Sequence, residues 1–168
     1  MRTDAEIYLD TMIEEKLWSN KGNLQFYLDT LFEGMDFRNK KILDIGGGAG
    51  LLSFYAASSG ANEVVCLEPE AQGSSSGITE KFQRVRSQLK DCNVILKPIT
   101  LQQFESDGKT FDIIILHDSI NHLDEEACIS LLKNEGSQAI YREIFLKIYS
   151  LSNEGAKLVI SDCSRYNF

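Results

Sequence analysis

Apolar residues recur at helical spacing through the first part of the chain; from Lys41 onward, short apolar runs alternate with helical faces. Thr3 with Glu6 three residues later is a capping-box pattern, and Leu9, Met12, Ile13 and Leu17 then mark a first amphipathic helix. Lys21-Gly22-Asn23 is expected to break it, and Leu24, Leu28, Leu31, Phe32 and Met35 give a second helical face. Strands are predicted over Lys41–Ile45, Glu63–Leu67, Asn93–Leu96, Phe111–Leu116 and Ala156–Ser161. Helices are predicted from Leu51 to Ser59, from Ile78 to about Lys90, from Asp124 onward, and, after an interruption at Gly136, along the face Ile140, Ile144, Phe145 and Ile148.

This alternation specifies an α/β fold, a doubly wound parallel sheet with right-handed crossovers and helices on both faces. Five strands in the order 3-2-1-4-5 are expected, preceded by two N-terminal helices. Residues 1–38 form that helical segment, within the same domain as a core spanning residues 39–168. Parallel sheets of this kind bind ligands at the carboxyl ends of their strands. There the chain gathers Gly46 to Gly50, Glu68, Thr100 and the segment from His117 to His122.

The first of these loops is the most informative. Strand 1 ends in Asp44-Ile45, four glycines follow at 46, 47, 48 and 50, and a helical pattern starts at Leu51. Glycine permits positive φ and leaves no Cβ between backbone and ligand, so such a turn brings the chain close to a bound molecule. The dinucleotide fingerprint GxGxxG would require glycine at position 51, which is Leu. The spacing Asp44-x-Gly46-x-Gly48-x-Gly50 instead resembles motif I of the class I S-adenosylmethionine-dependent methyltransferases. The resemblance extends from about Ile42 to Ser161 and includes Glu68 at the end of strand 2, about twenty residues past the loop.

The resemblance implies an S-adenosylmethionine site formed by Asp44, Gly46, Gly47, Gly48, Gly50, Glu68, Pro69, Thr100, Leu101 and His117. In it Asp44 orients the glycine loop, Glu68 accepts from the ribose hydroxyls, and Thr100 and Leu101 lie at the adenine. Thr100 departs from the acid that the family often carries there. His117-Asp118-Ser119-Ile120-Asn121-His122-Leu123 resembles the family's segment after strand 4, where methyl and acceptor meet. Asp118 and His122 are its candidates for proton transfer, beside the alternative of a histidine packed beneath the cofactor. The N-terminal helices, with Trp18 and Tyr27, are either a lid or core packing. Gln72 to Gly77 is either a lip over the site or the loop that starts the next helix.

The implied reaction is in-line methyl transfer to a small-molecule acceptor, with S-adenosylhomocysteine as product. A non-catalytic S-adenosylmethionine-binding module and a nicotinamide oxidoreductase are the alternatives. A net charge of −8 and the lack of a basic stripe oppose a nucleic-acid partner, as does the absence of Asn-Pro-Pro-Tyr after strand 4. No metal site is expected, because the four cysteines form no CxxC pair and the chain has only two histidines. With no apolar segment of signal or membrane-spanning length, a cytoplasmic location and no membrane partner are expected. Strands 6 and 7 of the family pattern are lacking, for which an incomplete chain is the preferred explanation over a partner subunit or a minimal domain. Strand 5 would then be an apolar edge through which a homodimer could form.

Overall fold

The computed structural model describes residues 3–70 and 77–162. Its sheet has five parallel strands in the order β3-β2-β1-β4-β5. They are β1 (Lys41–Ile45), β2 (Glu63–Leu67), β3 (Val94–Lys97), β4 (Phe111–His117) and β5 (Ser152–Ser161). Among the described residues six α-helices accompany them: α1 (Asp4–Glu14), α2 (Lys21–Leu31), α3 (Leu51–Ser58), α4 (Ile78–Gln88), α5 (Glu125–Ser130) and α6 (Glu135–Ser150). The expected fold class, strand order and two leading helices are all present.

Alternate residues of the central strands feed two cores. Ile42, Val64, Ile113 and Ile115 join Tyr8, Met12, Leu24, Leu28, Phe54 and Phe82 beneath α1 to α4. Leu43, Ile45, Val65, Ile114 and Leu116 join Leu101, Phe104, Tyr141, Ile144 and Ile148 on the other face. The N-terminal helices are therefore part of the packed domain. Tyr8, fully buried, donates its hydroxyl to the Leu51 carbonyl at 3.0 Å, tying α1 to the first residue of α3.

Four local expectations change. Lys21-Gly22-Asn23 opens α2, because Asn20 caps it by accepting from the Asn23 amide at 3.0 Å; the chain turns earlier, at Lys16 with φ +56°. Gly136 likewise lies in the first turn of α6, capped by Asn134. Both glycines make room for the cap: a Cβ would stand 3.3 Å from Asn20 Oδ1 at position 22 and 3.0 Å from Asn134 Oδ1 at position 136. The buried face of α6 is Ser137, Tyr141, Ile144 and Ile148, while Ile140 and Phe145 point outward.

The remaining change is β5, which begins at Ser152 rather than Ala156. Its early residues are polar and carry no strand pattern. They are held by Asn153, whose Nδ2 donates to Asp112 Oδ1 at 2.8 Å, and by the Phe111 amide donating to the Leu151 carbonyl. Asp112 is structural, its other oxygen accepting from the Lys41 amide at 2.8 Å. β5 is a sheet edge, with Leu158 and Ile160 exposed on one side. Among the described residues no helix is long and apolar enough to cross a membrane.

Candidate functional site

Parallel pairing places the carboxyl ends of β1, β2 and β4 side by side, and the loops leaving them define the site. The glycine loop folds onto the end of β2: the Gly46 and Gly47 amides both donate to the Leu67 carbonyl, at 2.8 and 3.2 Å. Each glycine has its own reason. At Gly46 (φ +71°) a Cβ would meet Ser119 Cβ at 2.6 Å, and at Gly50 (φ +87°) it would strike the rings of Phe54 and Phe82. Gly47 has no positive φ, but its Cβ would lie 2.6 Å from both Asp44 Oδ2 and Cys66 Sγ. Gly48 (φ +56°) differs, since among the described residues its Cβ would meet nothing closer than Ile78 Cδ1 at 3.8 Å. The loop is thus packed against protein at Gly46, Gly47 and Gly50 and, among the described residues, open beside Gly48, where a ligand can reach the backbone.

Two carboxylates support this loop. Asp44 is fully buried and accepts from Ser53 Oγ at 2.6 Å. Burial pushes its pKa up to about 6, the Ser53 hydrogen bond opposes that rise, and the neighbouring Glu68 charge adds to it. Glu68, also buried, accepts from the Gly48 amide at Oε2 (2.9 Å) and from the Glu70 amide at Oε1 (3.1 Å). Glu70 in turn accepts from the Gly77 amide and Thr79 Oγ1 at the start of α4. That hydrogen bonding, with Thr79 the largest cause, holds its pKa below the ordinary carboxylate value. The Gln72 to Gly77 patch lies outside the described residues except for Gly77.

Pro69 is half-buried beside Glu68, and Thr100 bonds with Gln103 through both its amide and its hydroxyl. Leu101 is buried in the second core, so its side chain belongs to the protein interior and its backbone alone remains for a ligand. His117 ends β4; its Nδ1 lies 3.5 Å from Asp118 Oδ2 and its Nε2 is hydrogen-bonded to the Tyr27 hydroxyl. Asp118 adopts φ +49° and donates its amide to the Ser161 carbonyl, joining the ends of β4 and β5. His122, on a one-turn 3-10 helix (Ile120–His122), is instead paired with Glu125 at 2.7 Å and exposed. The structure therefore brings Asp44, the glycines and Glu68 together, places His117 with Asp118, and leaves His122 apart.

Ser53 escaped sequence reasoning, as did the particular contacts of Ser119 and Tyr27, two residues named there only as part of a segment and of a lid or packing face. Ser53 is detectable as a hydroxyl in the first turn of the helix after the loop. Ser119 donates to the Ile45 carbonyl at 2.7 Å and packs on Gly46, but nothing in its sequence surroundings marks it as buried. Tyr27, stacked on Trp18 with centroids 5.1 Å apart, reaches His117 from ninety residues away along the chain. The two aromatics are partly buried and pack against the first core.

No protein-family model matches the chain. A curated protein, the histone-arginine methyltransferase CARMER of Anopheles gambiae, is 30% identical over 66 residues, which is 35% of this chain and 11% of that protein. Among solved structures, the precorrin-6y C5,15-methyltransferase of Geobacter metallireducens superposes with a TM-score of 0.57 at 14% identity, covering 86% of this chain and 64% of that one. Coclaurine N-methyltransferase, solved with N-methylheliamine and S-adenosylhomocysteine, gives 0.55 at 18% identity, covering 82% of this chain and 34% of that one. The chain thus spans less than two thirds of each of these proteins. A glycine loop after β1, a buried acid after β2 and the strand order 3-2-1-4-5 occur together in a chain with the Rossmann-like fold of the class I S-adenosylmethionine-dependent methyltransferases.

Proposed function

We propose that this chain binds S-adenosylmethionine at the carboxyl edge of its sheet and transfers the methyl group to a small-molecule acceptor. The observation that carries this reading is the pairing of the Gly48 amide with buried Glu68 beside an open backbone face. Three features of the residues fit the cofactor. The carboxylates of Asp44 and Glu68 suit a ligand with sulfonium and ammonium charges. Buried Glu68 stands beside the glycine loop, where a carboxylate is the acceptor that ribose hydroxyls require. Asn121 Oδ1 and Asp162 Oδ2 are buried acceptors with no donor among the described residues, as a ligand-binding edge can leave them.

In this assignment Glu68 would hold the ribose, with Pro69 beside it, and the glycine loop, set by Asp44, would approach the ligand through the Gly48 backbone. Thr100 and the Leu101 backbone would flank the adenine. His117 and Asp118 stand at the end of β4, on the acceptor side. The bound cofactor supplies a methyl group already activated as a sulfonium, so the protein's work is to orient the acceptor, exclude water and, where needed, receive a proton. Asp118 is the carboxylate placed for that last task through His117; His122, held by Glu125, is assigned no step.

A small acceptor accords with the net charge of −8, which repels phosphate backbones. The nicotinamide alternative lacks its third glycine, and the Leu51 that stands there is partly buried against the first core. A module that binds without turnover shares the same cradle. Titration calorimetry with S-adenosylmethionine, S-adenosylhomocysteine and NAD tests the reading: saturable binding of the first two is expected, and binding of NAD alone would overturn it. Transfer of labelled methyl to any acceptor would exclude the inert module.

A further inference from the structure

The contact between α2 and the end of β4 goes beyond the cofactor site. Tyr27 is anchored on one side by Trp18, stacked at 29° between ring planes, and meets the His117 ring edge-on with centroids 5.8 Å apart. Its hydroxyl is hydrogen-bonded to His117 Nε2, while His117 Nδ1 faces the Asp118 carboxylate. A neutral imidazole facing a carboxylate at Nδ1 carries its hydrogen there, which leaves the Nε2 lone pair to accept from the tyrosine. Carboxylate, imidazole and phenol thus stand in a line that starts at Asp118 and ends at a half-exposed hydroxyl. Asp118 holds this place in a left-handed conformation (φ +49°), fixed by its amide bond to Ser161.

We propose that Tyr27, His117 and Asp118 form a proton-accepting relay on the acceptor side of the site, and that the acceptor presents a hydroxyl group. The inference rests on the methyltransferase reading. A neutral amine or a thiolate attacks without prior help, whereas a hydroxyl oxygen must lose a proton as it becomes an ether. The acceptor oxygen forms its bond to the methyl carbon as the carbon–sulfur bond breaks, with that electron pair remaining on sulfur. The hydroxyl proton passes to Tyr27 Oη while the tyrosine proton passes to His117 Nε2. The resulting imidazolium is stabilised by Asp118 and returns its proton to water. Burial is the main cause raising the Tyr27 pKa above the ordinary phenol value, with the Asp118 charge adding to it and Ser161 opposing, so this phenol relies on its imidazole to act as a base.

The test is nitrogen-15 NMR of the imidazoles, which is tractable because the chain contains only His117 and His122, with His122→Asn assigning the signals. His117 is expected as the Nδ1–H tautomer, His122 serving as an internal reference. Tyr27→Phe should keep the Nδ1–H tautomer that Asp118 sets, shift the His117 Nε2 resonance as its hydrogen-bond donor is lost, and change S-adenosylhomocysteine affinity by less than about threefold, since Tyr27 is not assigned to the cofactor. Adding S-adenosylhomocysteine should shift the His117 signals and leave those of His122 in place. An Nε2–H tautomer for His117 in the unmodified protein would overturn the relay, as would His117 signals that do not move while S-adenosylhomocysteine binds. Failure of S-adenosylhomocysteine to bind at all would instead reject the parent reading, and the tautomer would still decide whether the three side chains are coupled.

Discussion

The carboxylate of Glu68 has two amide donors before any ligand arrives, from Gly48 and Glu70. Removing it therefore does two things: it takes away an acceptor for ribose and strands two amides that shape the loop. Glu68→Gln keeps an oxygen for Gly48 but loses the charge and turns its NH2 toward the Glu70 amide, whereas Glu68→Ala loses both oxygens as well as the charge. The expected outcome by calorimetry is a graded loss of S-adenosylmethionine affinity, by roughly 1.5–3 kcal/mol for Ala and less for Gln. Equal losses in both variants would mean that the oxygen kept for Gly48 contributes nothing to binding. Gly47 makes a purely steric case, since its Cβ would lie 2.6 Å from Asp44 Oδ2 and from Cys66 Sγ without any positive φ. Gly47→Ala should lower stability by about 1–3 kcal/mol in denaturant titrations.

Whole elements behave differently from loop residues because they share a core. The N-terminal helices bury Tyr8, Met12, Leu24 and Leu28 completely, so they hold the fold as well as bordering the site. Leu28→Ala is expected to destabilise the protein by about 2–5 kcal/mol by chemical denaturation. A chain beginning at residue 39 should expose the first core and aggregate instead of folding as an open-lidded domain. The sheet and its order were readable because β1, β2 and β4 are apolar runs with turn signals at their ends. The first turns of α2 and α6 and the start of β5 were not, because side-chain hydrogen bonds from Asn20, Asn134 and Asn153 set them and no periodicity reports such bonds. At the site, the glycines and Glu68 were legible by spacing. Ser119 and Tyr27 were not, since only the folded chain brings them to Gly46 and His117.

On the scale of the molecule, the buried Asp44 couples folding to pH. Its folded-state pKa of about 6 lies above the ordinary 3.8, so the folded state binds this proton more tightly than the unfolded state does. Stability from this group consequently rises as pH falls from about 6 to about 4, and ionisation at neutral pH costs about 3 kcal/mol. Thermal unfolding of the ligand-free protein should show greater stability near pH 5 than near pH 7.5. Below about pH 4 the trend reverses as Glu70 and Asp112 are protonated, because their hydrogen bonds hold their pKa values below normal. Asp44→Asn should flatten the profile between pH 5 and 7.5 and stabilise the ligand-free protein there. A cationic ligand favours the ionised carboxylate, so S-adenosylmethionine affinity should increase as pH rises through about 6.

Tyr27 enters from a helix that precedes the glycine loop, whereas Asp44, Gly46 to Gly50 and Glu68 lie within one short stretch of chain. In the proposed assignment, cofactor recognition and acceptor handling are therefore encoded by segments that can mutate or recombine separately. Replacing the face of α2 that carries Tyr27, while keeping its buried Leu24 and Leu28, would leave the fold and the cofactor cradle intact. In that assignment, substitutions on the Tyr27 face of α2 would alter the acceptor side while the cradle from Asp44 to Glu68 is kept.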